Sequence, residues 1–175
     1  MKMKASHVLL SSVLIVAAGI ILTMATGFWT TESTKIPNRL TLSKVDDESS
    51  EVSGNPSDLP EYDPSDIRGS YTFAEISSLY KIPLETLAEA FMVEESRAAG
   101  FKCKDLGTHF EGAGVEIGTA SMRMFVSFYY GLDYASTEEP FLPASATAIL
   151  ESGTRITQEQ RSYLAGHTVE VTALP

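Results

Sequence analysis

The chain has 175 residues and a formal net charge of −10, from 13 basic and 23 acidic side chains. That length suits one core-forming domain plus flanking segments, and so acidic a surface excludes nucleic acid, whose phosphates demand a basic face. Cys103 is the only cysteine, which excludes an intrachain disulfide, a multi-cysteine metal site and covalent haem attachment.

The first element in chain order is apolar. From Val8 to Trp29 there are 22 residues without a charge, about 33 Å as a helix against a hydrocarbon core of roughly 30 Å. Phe28 and Trp29 close the run where aromatic rings favour the membrane interface. The run exceeds the ~7–15 apolar residues of a cleaved signal peptide, so the reading is an uncleaved transmembrane anchor. Lys2 and Lys4 precede it, and a short basic N-terminus stays inside. The expected localisation is therefore the cell membrane, single-pass, with a cytoplasmic N-terminus and an extracytoplasmic C-terminal domain.

Residues 30–66 lack apolar periodicity and are rich in Ser, Thr, Pro, Asp and Glu, as in Asp46-Asp47-Glu48-Ser49-Ser50-Glu51. Such a stretch cannot bury enough apolar surface to repay ordering, and it reads as an extended acidic stalk. Beyond it, Thr72 and Glu75 have capping-box spacing, and Phe73, Ile76, Leu79 and Tyr80 recur with helical period. Pro83 suits the first turn of a second helix that places Leu84, Leu87, Ala88 and Phe91 on one face. Lys104–Phe110 predicts a short helix and Glu111–Gly114 a loop. Thr119 is expected to cap a strong helix carrying Met122, Phe125, Val126, Tyr129 and Tyr130, with Gly131 just past its end. Pro143 opens a further helix with Ala146, Ile149 and Leu150, stopped by Gly153. Thr157 and Gln160 form a second capping box for a helix reaching Ala165, and His167–Val171 reads as a short strand or extended tail.

The spacing Thr72, Ile76, Leu79-Tyr80, Ile82-Pro83-Leu84 matches Thr119, Arg123, Val126-Ser127, Tyr129-Tyr130-Gly131-Leu132, with Pro143 after an insertion. This pattern raises a two-unit helix-turn-helix repeat, and chance similarity between amphipathic helices explains it as well.

The stretch Asp66-Ile67-Arg68-Gly69-Ser70-Tyr71-Thr72-Phe73-Ala74-Glu75-Ile76, with Tyr80 and Ile82-Pro83-Leu84-Glu85-Thr86-Leu87, resembles the small helical module appended to some membrane-bound iron–sulfur and cytochrome-b-like redox proteins of bacteria and archaea. The resemblance implies a place beside a membrane electron-transfer assembly. Cluster-binding cysteines and a transmembrane histidine pair are missing, so the redox chemistry would belong to a partner. The Tyr-Thr start and Ile-Pro turn are also similar to short wall-binding modules, which carry flanking strands and usually an Asn where this chain has Phe91-Met92-Val93.

Candidate chemistry is sparse. Cys103 and His109 lie six apart, but a thiolate–imidazole pair needs contact and an orienting group, and a buried cysteine beside a surface histidine accounts for them better. Convergence of Cys103, His109 and His167 on a metal would require three scattered ligands to meet. Gly112-Ala113-Gly114 follows no apolar strand and is a turn, not a dinucleotide fingerprint. Phe128 points away from the Phe125/Tyr129 face, and Phe128 and Tyr130 are the expected partner contacts.

These readings predict an all-α chain: residues 1–29 as cytoplasmic tip and transmembrane anchor, 30–66 as disordered stalk, and 67–175 as a small multi-helix domain. The expected role is a membrane-anchored, non-enzymatic accessory or interaction subunit with no cofactor, metal or catalytic residues. Its partners would be the membrane, through one helix, and protein partners in a membrane complex. The alternative is a membrane-anchored cell-wall or glycan-binding module.

Overall fold

The computed structural model describes residues 37–40, 59–134, 136–153 and 155–171, all within one compact unit, Pro37–Pro175. The helices are α1 (Phe73–Tyr80), α2 (Leu84–Ala90), α3 (Glu95–Ala98), α4 (Leu106–His109), α5 (Thr119–Tyr129), α6 (Ala144–Gly153) and α7 (Gln158–His167), with 3-10 turns at Pro64–Asp66 and Cys103–Asp105. Strands β1 (Leu142–Pro143) and β2 (Thr168–Val169) pair in parallel, in the register Leu142 to Thr168 and Pro143 to Val169.

α1 begins where its capping box says it should. The Glu75 amide donates to Thr72 Oγ1 at 3.2 Å and the Thr72 amide to Glu75 Oε2 at 2.8 Å, so two otherwise orphaned donors are satisfied. Lys81, at φ 54°, ends the helix in the left-handed region, and Pro83 is the N-cap of α2. Just upstream, residues 69–73 lace to 101–104: Phe73 N donates to Phe101 O, Cys103 N to Tyr71 O and Lys104 N to Gly69 O, each at 2.9 Å. A Cβ on Gly69 would stand 3.1 Å from both Lys104 Cβ and Thr119 Oγ1, so the glycine permits this close approach.

The core is organised around α5. Ser121, Met122 and Met124 to Phe128 are all buried, so the helix is enclosed on nearly every side. It packs on α6, on the Pro64–Asp66 turn and on the Cys103–Asp105 turn, while α2 packs on α1, α3 and α6. Phe73, Phe91 and Phe125 link three helices edge to face, at centroid distances of 5.9 and 5.5 Å. The Ser145 hydroxyl donates to Ala90 O at 2.7 Å, tying α6 to the end of α2. Thr157 and Gln160 form the second capping box, starting α7.

α5 ends at Gly131, φ 68°. Gly131 N donates to Phe128 O at 3.0 Å and Leu132 N to Ser127 O at 2.9 Å, the paired bonds of a Schellman end. Both halves of the suspected repeat thus stop on a positive-φ residue, Lys81 or Gly131. In the first, proline follows two positions later; in the second, Pro143 follows twelve positions later and lies in a strand.

Two expectations are corrected. The domain is not all-α: it is mostly helical with a small parallel sheet, whose strands of two residues are too short to produce any alternation of apolar and polar positions. Pro143 accordingly lies in β1, and the helix opens one residue later at Ala144. The transmembrane reading also fails among the described residues, where no helix is long and apolar enough to cross a membrane. The longest, α5, has 11 residues and a rise of ~16 Å, about half a bilayer core. The run Val8–Trp29 lies outside the described residues. The single-pass localisation with an extracytoplasmic domain is corrected to the same extent: no helix among the described residues supplies a span.

Ordered backbone also occurs upstream of residue 67. Leu40 N donates to Glu61 O and Asp63 N to Asn38 O, both at 3.0 Å, bridging Arg39 and Tyr62 in antiparallel fashion. Asn38 N donates to Asp66 Oδ2 at 2.7 Å, and Pro37, Pro60 and Pro64 are buried. The Arg39–Glu61 ion pair there is 2.7 Å long but 75% and 50% exposed, so the backbone bonds define this pairing more than the charges do.

Candidate functional site

Arg123 is the exception within α5. Its neighbours on both sides are buried, while its own side chain is half-buried and leaves the core sideways. Nε donates to Ile67 O at 2.8 Å, which fixes the plane of the guanidinium. Its two terminal nitrogens make no hydrogen bond or ion pair among the described residues. One helical turn on, Ser127 occupies the same face; it is 5% exposed.

These two side chains form the floor of a cleft of about 360 Å³. Pro64 and Leu40 contribute one wall, Leu132 and Tyr134 the other, and Asp63 and Asp133 bring the negative charge. Each part has a local cause. Asp63 Oδ1 accepts from Ser65 N at 2.8 Å and caps the Pro64–Asp66 turn. The Leu132–Tyr134 wall is directed by the left-handed Gly131 and held by Gln160 Nε2, which donates to Leu132 O at 2.9 Å. The Tyr80 hydroxyl donates to Asp63 O at 2.9 Å, and the Tyr130 hydroxyl donates to Tyr80 O, so two tyrosines tie the Asp63 backbone to the end of α5. Burial raises both phenols above the ordinary tyrosine range. The Tyr134 hydroxyl is closed off from solvent and has no hydrogen-bond partner among the described residues.

The other sequence candidates lie elsewhere. Cys103 is fully buried, and burial pushes its thiol up to about 12, so it carries no thiolate at neutral pH. His109 Nε2 donates to Met92 O at 3.1 Å, and its ring stands edge-on to Phe101 and Phe110. His167 Nδ1 donates to Tyr163 O at 2.9 Å, and its ring stacks on Tyr163 at 3.8 Å. Neither imidazole is bonded to the thiol. Among the described residues, no three His, Cys, Asp or Glu side chains form a group that could hold a metal ion. Gly112 and Gly114 adopt φ 95° and 76° in a loop. Phe128 is 4% exposed, edge-on to Tyr163, and Tyr130 is half-buried. Of the two aromatics expected to face a partner, Phe128 is thus packed within the domain, while Tyr130 keeps part of its surface open.

Arg123 was visible in the sequence as one charge inside the apolar run Met122–Phe128, opposite Ile76 in the internal match. That break in an otherwise enclosed helix was the available signal for the cleft. Comparison with family models, curated proteins and solved structures finds no match for this chain.

Proposed function

We propose that this chain is a non-enzymatic interaction subunit, serving a protein partner that carries the chemistry, and that the partner belongs to an electron-transfer assembly. The observation that carries the reading is the separation of reactive groups from the cleft. The thiol is sealed in the core, both described imidazoles are bonded to backbone carbonyls, and the described residues lining the cleft include no Cys, His or Glu. One carboxylate oxygen of Asp63 is occupied as a helix cap. What the cleft offers instead is a fixed cation whose terminal donors are unengaged among the described residues, which suits recognition. The electron-transfer part rests on the Asp66–Leu87 motif alone.

Gentle isolation of the tagged full chain at native abundance tests this. Stoichiometric co-elution with a haem- or iron–sulfur-bearing chain is the expected result. Recovery as a free monomer, or a turnover activity that survives rigorous purification and disappears in Arg123→Lys, would refute it.

A further inference from the structure

We infer that the Arg123 cleft is a binding site for a small zwitterion, a free amino acid or the free end of a short peptide, with the ligand carboxylate on Arg123 and its ammonium toward Asp63 and Asp133. This goes beyond the accessory role and does not depend on it.

The argument starts from the guanidinium. Arginine offers a planar fork matched to a carboxylate, and here Nε is already engaged by Ile67 O while the terminal nitrogens are not engaged among the described residues. The side chain is therefore oriented before any ligand arrives, which lowers the entropic cost of binding. Ser127, one turn along the same face, also lines the cleft.

Charge then selects the ligand. The described lining residues supply one guanidinium and two carboxylates, so a plain anion such as phosphate meets net negative charge there and a plain amine meets Arg123. A molecule carrying both signs a few bonds apart satisfies both. Size narrows the class further, because 360 Å³ lies at the lower end of the roughly 300–1,000 Å³ of small-molecule sites. Leu40, Pro64 and Leu132 supply apolar contact for an aliphatic portion.

The test uses the purified full chain in calorimetric titrations with each common L-amino acid, the dipeptide Ala-Ala, acetate, methylammonium and inorganic phosphate. At least one zwitterion binds, with the three single-charge probes at least about tenfold weaker. Comparison of alanine with Ala-Ala distinguishes a free amino acid from a peptide end. Arg123→Lys keeps the charge and loses the fork; Asp133→Asn removes a rim charge on an exposed residue. Each weakens binding about tenfold, with the circular dichroism spectrum unchanged. Should Arg123→Lys misfold, Asp133→Asn decides. Absence of binding by every zwitterion, equal binding of acetate or phosphate, or undiminished binding in Asp133→Asn overturns the proposal.

Discussion

Replacing Gly131 by alanine loads a single methyl onto the point where the core helix turns toward the cleft. At φ 68° an L side chain is strained, by ~1–2 kcal/mol. The new Cβ would also stand 2.9 Å from Arg155 O and 3.4 Å from Arg155 Cβ. A carbonyl oxygen cannot swing aside as a side chain can, and the required backbone shift costs a further ~1–3 kcal/mol. Reduced freedom of the unfolded chain offsets ~0.4–1 kcal/mol. The net loss is about 2–4 kcal/mol, a fall in Tm of ~8–16 °C for a domain of this size. Gly112→Ala is the control: its φ is 95° but nothing lies within 4 Å of the added carbon, so only the conformational part applies, about 1 kcal/mol. Thermal melts of both variants followed by circular dichroism measure the difference. Equal, small shifts would refute the close approach to Arg155, and a neutral Gly131→Ala would refute the Schellman end itself.

Thr72→Ala and Thr157→Ala each remove a reciprocal cap and should cost ~0.5–2 kcal/mol in urea unfolding; no loss at either would mean the box is not formed. Tyr134→Phe deletes a buried hydroxyl without a partner among the described residues, so stability should hold or rise, by up to ~1–3 kcal/mol, whereas a clear loss would reveal a bonded hydroxyl. Alkaline pH should destabilise the fold. Below pH 9 the Cys103 thiol is protonated in both states; above it the unfolded thiol ionises while the folded one, pushed up to about 12, keeps its proton. The unfolded state then binds fewer protons, and stability falls with a slope from Cys103 of up to ~1.4 kcal/mol per pH unit. Tyr80, Tyr71, Tyr130 and Tyr163, all raised by burial, steepen the fall at higher pH. Unfolding titrations between pH 8 and 11 should show a shallower slope in Cys103→Ala; an unchanged slope would place the thiol in contact with water.

Signals confined to one turn of chain were readable. Thr72, Pro83, Gly131 and Thr157 each act on a neighbour three or four positions away, and each marks an element end in the structure. α3 has four residues, fewer than the periodicity needs to register. Parallel pairing of Leu142–Pro143 with Thr168–Val169 depends on two intervening helices returning the chain, which no local pattern encodes. Phe128 is buried where the one-sided helix rule predicts a solvent face, because α5 has almost none. The cleft escaped for the same reason: Arg123 gains its meaning from Ile67 and Asp63, which reach it only through folding.

That dependence has a kinetic side. Arg123 to Ile67, Tyr130 to Tyr80 and Ser145 to Ala90 join positions 56, 50 and 55 residues apart. A helical chain stitched by such distant bonds has to close large loops before those bonds reward it. It should therefore refold more slowly than a helical bundle of equal stability, and the cleft should appear only once its longest loop has closed. A ligand seated there would add contacts that early compact states lack, so its effect should fall on the unfolding rate and leave refolding nearly untouched.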